Sequence, residues 1–208
     1  MDDDYWSAVS QLRLAVADLL ETLTPEEWER PSLCAGWRVR DVAGHLSLVP
    51  TITTWDMVRA APRGRFNPHH VNTLLARQYA DRPTRAIVER IREHAGERRT
   101  ARVLDVRDSL FDVVVHSQDI ALPLGRAVDV PVESVVRGLD RVWEMGWPFR
   151  ARTRLAGLEL RATDAEWRRG TGRVVAGPAL ALLLLLTGRT EAAIPSLTGD
   201  GVPALRPV

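Results

Sequence analysis

Between Tyr5 and Leu23 the side chains Trp6, Val9, Leu12, Val16, Leu19, Leu20 and Leu23 recur every three or four positions, which gathers them on one face of a helix. Such a face must be covered by another helix. The pattern then repeats. Val39, Val42, Ala43, Leu46 and Val49 form a second stripe, interrupted at Pro50 and resuming through Trp55 and Met57. Beyond the break APRGRFNP come Val71, Leu74, Leu75 and Tyr79, then, after Pro83, Ile87, Val88 and Ile91. Leu110, Val113, Val114, Ser117 and Ile120 make a further stripe, and Val132 to Phe149 reads as one more helix. Four long helices with short pieces between them predict a bundle. One short piece announces itself in TPEEW, where Thr24, Pro25 and Glu27 stand in the order of a helix cap.

The texture changes at about residue 152. LELRA alternates as a half-buried strand does, GRVVAG suggests a second strand, and a leucine-rich helix follows with Pro178 near its start and Gly188 near its end. The expected organisation is a helical bundle over residues 1–151 and a small α+β domain over 152–208. The apolar run from Ala179 to Leu186 is less than half of the ~20 residues a membrane span needs, so no membrane association is expected.

Composition excludes several classes of function. The 28 basic and 27 acidic residues leave a formal net charge of +1, too small a field to bind phosphate backbones, so nucleic acid is not an expected partner. Every basic residue is arginine, a bias of high-GC genomes. The single cysteine, Cys34, permits neither an internal disulfide nor a four-thiolate zinc site. With acidic residues opening MDDDYWSAV where a signal peptide would be basic, a cytoplasmic location is expected. Cys34 reads as a small packing residue rather than a nucleophile.

The stretch FDVVVHSQDI carries the candidate chemistry. Asp112 and His116 lie at i and i+4, on one helix face and one turn apart, with Asp119 close to the same face. They read either as a buried polar pair or as part of a metal site, for which His45, in the GHL of a bundle helix, is the best third ligand. His69 and His70 in NPHH, and His94 in a charged stretch, receive no role. Neither a glycine-rich phosphate loop nor a G-x-S-x-G elbow is present.

Taken in order and spacing, SLCAGWRVRDVAGHL, FDVVVHSQDIALPLG, LELRATDAEWRRGTGRVVAGPALALLLLLTGR and LTGDGV resemble the mycothiol-dependent maleylpyruvate isomerase family. The resemblance implies a mainly α protein, with a DinB-like four-helix bundle holding a divalent metal, followed by a small α+β C-terminal domain. It also implies that His45 and His116 match the metal histidines and Asp112 the acidic ligand, although the family usually carries a glutamate at that place.

The expectation is therefore a thiol-dependent isomerase or S-transferase, with zinc as the divalent metal and mycothiol as thiol cosubstrate. The metal-held thiolate attacks a small electrophile, of which maleylpyruvate is one possibility; no catalytic side chain beyond that thiol is assigned. Two neutral imidazoles and one carboxylate leave zinc with a net charge of +1 and an open position for the thiolate. Asp119 is expected to orient a ligand histidine. Arg189, ending the leucine-rich helix, either pairs with a substrate carboxylate or caps the helix. Competing readings are a regulatory bundle without catalysis and a hydrolase using metal-bound water.

Overall fold

The first apolar stripe forms helix α1 (Asp3–Glu21) in the computed structural model, which describes residues 2–206. Asp2 starts it, its side chain accepting the Tyr5 N–H at 2.9 Å. Thr24 and Glu27 form the expected reciprocal cap on α2 (Pro25–Glu29). The second stripe becomes α3 (Val39–Leu48), and Thr53 with Asp56 caps a separate α4 (Thr54–Ala60). NPHH, at the end of the break APRGRFNP, opens α5 (Pro68–Ala80), because Asn67 accepts the backbone N–H groups of His69 and His70. Two more helices follow, α6 (Thr84–Glu93) and α7 (Ser109–Ala121).

These elements belong to a first unit ending at Val128, and a second unit begins at Asp129. In the first, α1 packs on α6 and α7, and α3 packs on the same two helices. The four therefore close a ring, the DinB-like four-helix bundle, with α5 lying outside it against α3. Val9, Val16, Val39, Val42, Ile87 and Val114 are fully buried within it, each apolar side chain contributing roughly 1.5–3 kcal/mol of transfer free energy.

The second unit contains α8 (Val132–Glu144), the short α9 (Ala151–Arg154), strands β1 (Leu158–Ala162), β2 (Arg168–Gly170) and β3 (Arg173–Gly177), then α10 (Ala179–Leu186) and the short α11 (Thr190–Ala193). The strand order is β2-β1-β3, with β1 antiparallel to β2 and parallel to β3. Strand β2 carries no sequence signal, since its three residues are all exposed. Gly172 makes the tight passage into β3 possible: its φ is +125°, and a Cβ there would lie 2.1 Å from the Gly157 carbonyl oxygen.

Two expectations change here. The helix expected over Val132–Phe149 stops at Glu144, with Gly146 and Pro148 close behind it, and it packs on α10 in the second unit rather than completing the bundle. The two units meet at residues 128 and 129, not at the change of texture near 152. The reason is the all-round burial of α10, where Leu182, Leu183, Leu185 and Leu186 are inaccessible. Such a helix needs a second layer, and the apolar face of α8 (Val135, Leu139, Val142) supplies it. Periodicity shows that a face is apolar, not what will cover it. Among the described residues, no helix is long and apolar enough to cross a membrane.

The approach of α5 to α3 depends on Gly44. A Cβ at that position would sit 2.6 Å from both the Ala76 oxygen and the Ala80 nitrogen, backbone atoms that cannot swing aside. Gly44→Ala gains about 1 kcal/mol of helix propensity but forces the two helices apart, at a cost of about 1–3 kcal/mol. Net destabilisation in urea unfolding is expected, and a Gly44→Ala variant more stable than the parent would show that the helices can separate freely.

Candidate metal centre

Helices α3 and α7 face one another in the ring and bring together three of the residues expected from sequence. His45 Nε2 lies 3.3 Å from Asp112 Oδ1, and His116 Nε2 lies 3.5 Å from the same oxygen. Ligand atoms of His45, Asp112 and His116 all fall within 4.8 Å of one another. The α7 pair follows from the i, i+4 spacing; His45 joins it from α3, a helix buried along nearly its whole length. His45 is buried, whereas Asp112 and His116 remain partly accessible.

Each imidazole is held from behind. His116 Nδ1 lies 2.8 Å from Oδ2 of Asp119, which is fully buried. His45 Nδ1 lies 3.1 Å from Asn72 Oδ1, on α5. In the neutral tautomer that donates from Nδ1 to these oxygens, both Nε2 lone pairs turn toward Asp112. Three lone-pair donors then converge, an arrangement that repels itself unless a cation or ring protons lie between them. Donors about 2 Å from a tetrahedral zinc ion lie about 3.3 Å from each other, so the two measured separations match the edges of such a site.

Trp37 supplies a wall. Its ring is nearly parallel to that of His116, at 5° and 6.4 Å between centroids, and meets His45 edge-on at 5.7 Å. The loop carrying it is pinned where Ser32 donates from its N–H and its hydroxyl to the Trp37 carbonyl, and where the Leu33 N–H donates to the Asp119 carbonyl. Arg13 of α1 is buried as well, its Nη1 donating to the carbonyls of Ala95 and Glu97. Burial pulls that guanidinium below its ordinary value, against the opposing charge of Asp112.

Residues 9–109 match the family model described as the mycothiol maleylpyruvate isomerase N-terminal domain. This stretch is similar to that domain. The match includes His45 and ends before Asp112. Two solved structures of the mycothiol-dependent maleylpyruvate isomerase are similar in fold, one of them a histidine-to-alanine mutant. The mutant is 13% identical, with 99% of this chain and 95% of that chain covered and a TM-score of 0.65. The other is 14% identical over the same shares, with a TM-score of 0.62. At these identities the likeness is one of fold. No curated protein matches the sequence.

Beside the three residues read from sequence, the structure places three at the site that sequence reasoning missed: Asn72, Trp37 and Arg13. Asn72 belongs to a helix outside the bundle ring, and an arginine among so many gives no signal of burial. Trp37 did stand in a quoted motif, CAGW, whose glycine and aromatic mark a special turn. Asp119 meets His116 as its spacing suggested. Cys34 is half-buried and shapes the same turn through its backbone, its carbonyl accepting the Trp37 N–H. Arg189 lies in the second unit. Its N–H donates to the Leu184 carbonyl while that of Gly188 donates to Leu185, and its Nη1 donates to the Thr187 carbonyl. These bonds close the end of α10.

Burial by itself would raise the Asp112 carboxyl, but the charges of His45 and His116, the His45 hydrogen bond and Arg13 overcome it and hold the carboxyl at about 2. In metal-free protein this depression stabilises the fold by about 2 kcal/mol, fully present above about pH 4 and lost as the pH falls toward 2. Asp112→Asn is expected to be less stable than the parent by about that amount at mildly acidic pH, with the difference closing toward pH 2. Urea unfolding across this range checks it; a difference independent of pH would show that the carboxylate is not held by its cationic neighbours.

Proposed function

We propose that this chain is a mycothiol-dependent enzyme, an isomerase or S-transferase acting on a small electrophile, with a divalent cation, zinc, held by His45, Asp112 and His116. The observation that carries the reading is the convergence of two Nε2 atoms on one carboxylate oxygen at 3.3 and 3.5 Å. The likeness of residues 9–109 to the mycothiol maleylpyruvate isomerase N-terminal domain and the solved isomerases of similar fold support the thiol chemistry. A maleylpyruvate-like compound is one substrate that fits.

When bound, the cation would act as a Lewis acid that favours a thiolate over a thiol at neutral pH. The protein's own residues prepare for this. Asp112 offsets part of a dication's charge and leaves a net positive centre suited to an anionic sulfur. Asp119 holds the His116 proton on Nδ1 and so keeps Nε2 available. Trp37 covers one side of the imidazoles and keeps water from them. An added sulfur nucleophile converts an activated double bond to a single bond, about which rotation is free, and elimination of the same sulfur restores the double bond and the free thiol. If the conjugate leaves instead, the outcome is transfer.

Purified protein is expected to bind about one zinc per chain, and His45→Ala or His116→Ala to abolish this binding while far-UV circular dichroism keeps its helical signal. Zinc binding undiminished in either variant would remove that residue from the site. Mycothiol is expected to bind the zinc-loaded form alone, more weakly as the pH falls, because protons compete for both imidazole and thiolate. Turnover of an electrophile without any thiol would favour the hydrolase reading.

A further inference from the structure

The two histidines are backed by different chemistry. Behind His116 stands a carboxylate, Asp119, which is fully buried and 2.8 Å from Nδ1. When ionised, this group only accepts hydrogen bonds, so it holds the ring proton on Nδ1 in one tautomer. Behind His45 stands a carboxamide, Asn72, 3.1 Å from Nδ1 and at the solvent edge of the unit. A carboxamide can present its oxygen as acceptor or, after a half-turn, its nitrogen as donor.

His45 has a use for both. With its proton on Nδ1 it donates to the Asn72 oxygen and leaves Nε2 unprotonated toward Asp112. With its proton on Nε2 it donates to Asp112 Oδ1, 3.3 Å away, and its unprotonated Nδ1 then needs a donor. We propose that Asn72 is the positioning residue that selects the tautomer of His45, supporting the cation-holding form with its oxygen and the Asp112-bonded form with its nitrogen. His116 is thereby the fixed member of the site and His45 the adaptable one.

The placement of Asn72 is built into the fold. It lies one helical turn before Ala76, whose backbone oxygen a side chain at Gly44 would strike, and Gly44 immediately precedes His45. The absence of a side chain at Gly44 lets α5 come close enough for the Asn72 amide to reach across to the ring.

This proposal rests on the cation-binding reading, and the test separates the two. The parent, Asn72→Ala and Asn72→Asp are compared as full chains. In competition with a chelator, Asn72→Ala is expected to bind zinc about tenfold more weakly, the lower end of what such outer partners contribute, and Asn72→Asp to bind at least as tightly as the parent. Nitrogen-15 spectra of the zinc-loaded proteins should show a His45 Nδ1 proton that exchanges slowly with water in the parent and in Asn72→Asp but rapidly in Asn72→Ala. The His116 Nδ1 proton should be the same in all three. Unchanged affinity together with unchanged exchange at His45 in Asn72→Ala would overturn the proposal. If the parent takes up no zinc, the cation-binding reading fails, and spectra of the zinc-free proteins decide on Asn72. Ring shifts confined to His45 on loss of the amide sustain its hold on that ring, and their absence refutes it.

Discussion

The first unit depends on a carboxylate placed where two imidazoles and a buried guanidinium face it. Asp112 is tolerable among apolar helices only because positive charge surrounds it: His45 from α3, His116 from its own helix and Arg13 from α1. A buried charge without such partners costs several kcal/mol. Three helices of the ring must therefore meet at one level of the bundle, and the apolar stripes of the sequence are in register with that requirement.

Around this centre the polar groups are supported outward in layers that reach different elements. Asp119 holds His116 within α7, while its backbone carbonyl fastens the loop that carries Trp37. Asn72 holds His45 from a helix that is not part of the ring. The partly accessible carboxylate of Asp112 and the buried one of Asp119 stand here against the buried guanidinium of Arg13. This charge balance accepts further positive charge, as ring protons or as a cation. The donor set of two imidazoles and one carboxylate suits a divalent ion of the zinc type.

The second unit answers a different problem. Its leucine-rich helix is buried on every side, so a sheet alone cannot cover it, and α8 completes the covering. The Gly188 turn and the Arg189 side chain then satisfy carbonyls at the end of that helix.

Much of this was legible along the chain. Helical periods marked the helices, the order Thr24, Pro25, Glu27 marked a cap, and the spacing of Asp112, His116 and Asp119 placed three polar groups on adjacent turns of one helix. These are local properties, set by 3.6 residues per turn and by the few side chains that can cap a backbone. That His45 completes the cluster came from its place in a resembling motif, not from any spacing. Tertiary structure alone decided that α6 rather than α8 closes the ring, that Gly44 lets α5 bring Asn72 to His45, and that Arg13 points inward. Each is a contact between segments far apart in sequence. An apolar face or a polar side chain states what it needs, but which partner meets that need depends on how all the faces pack at once.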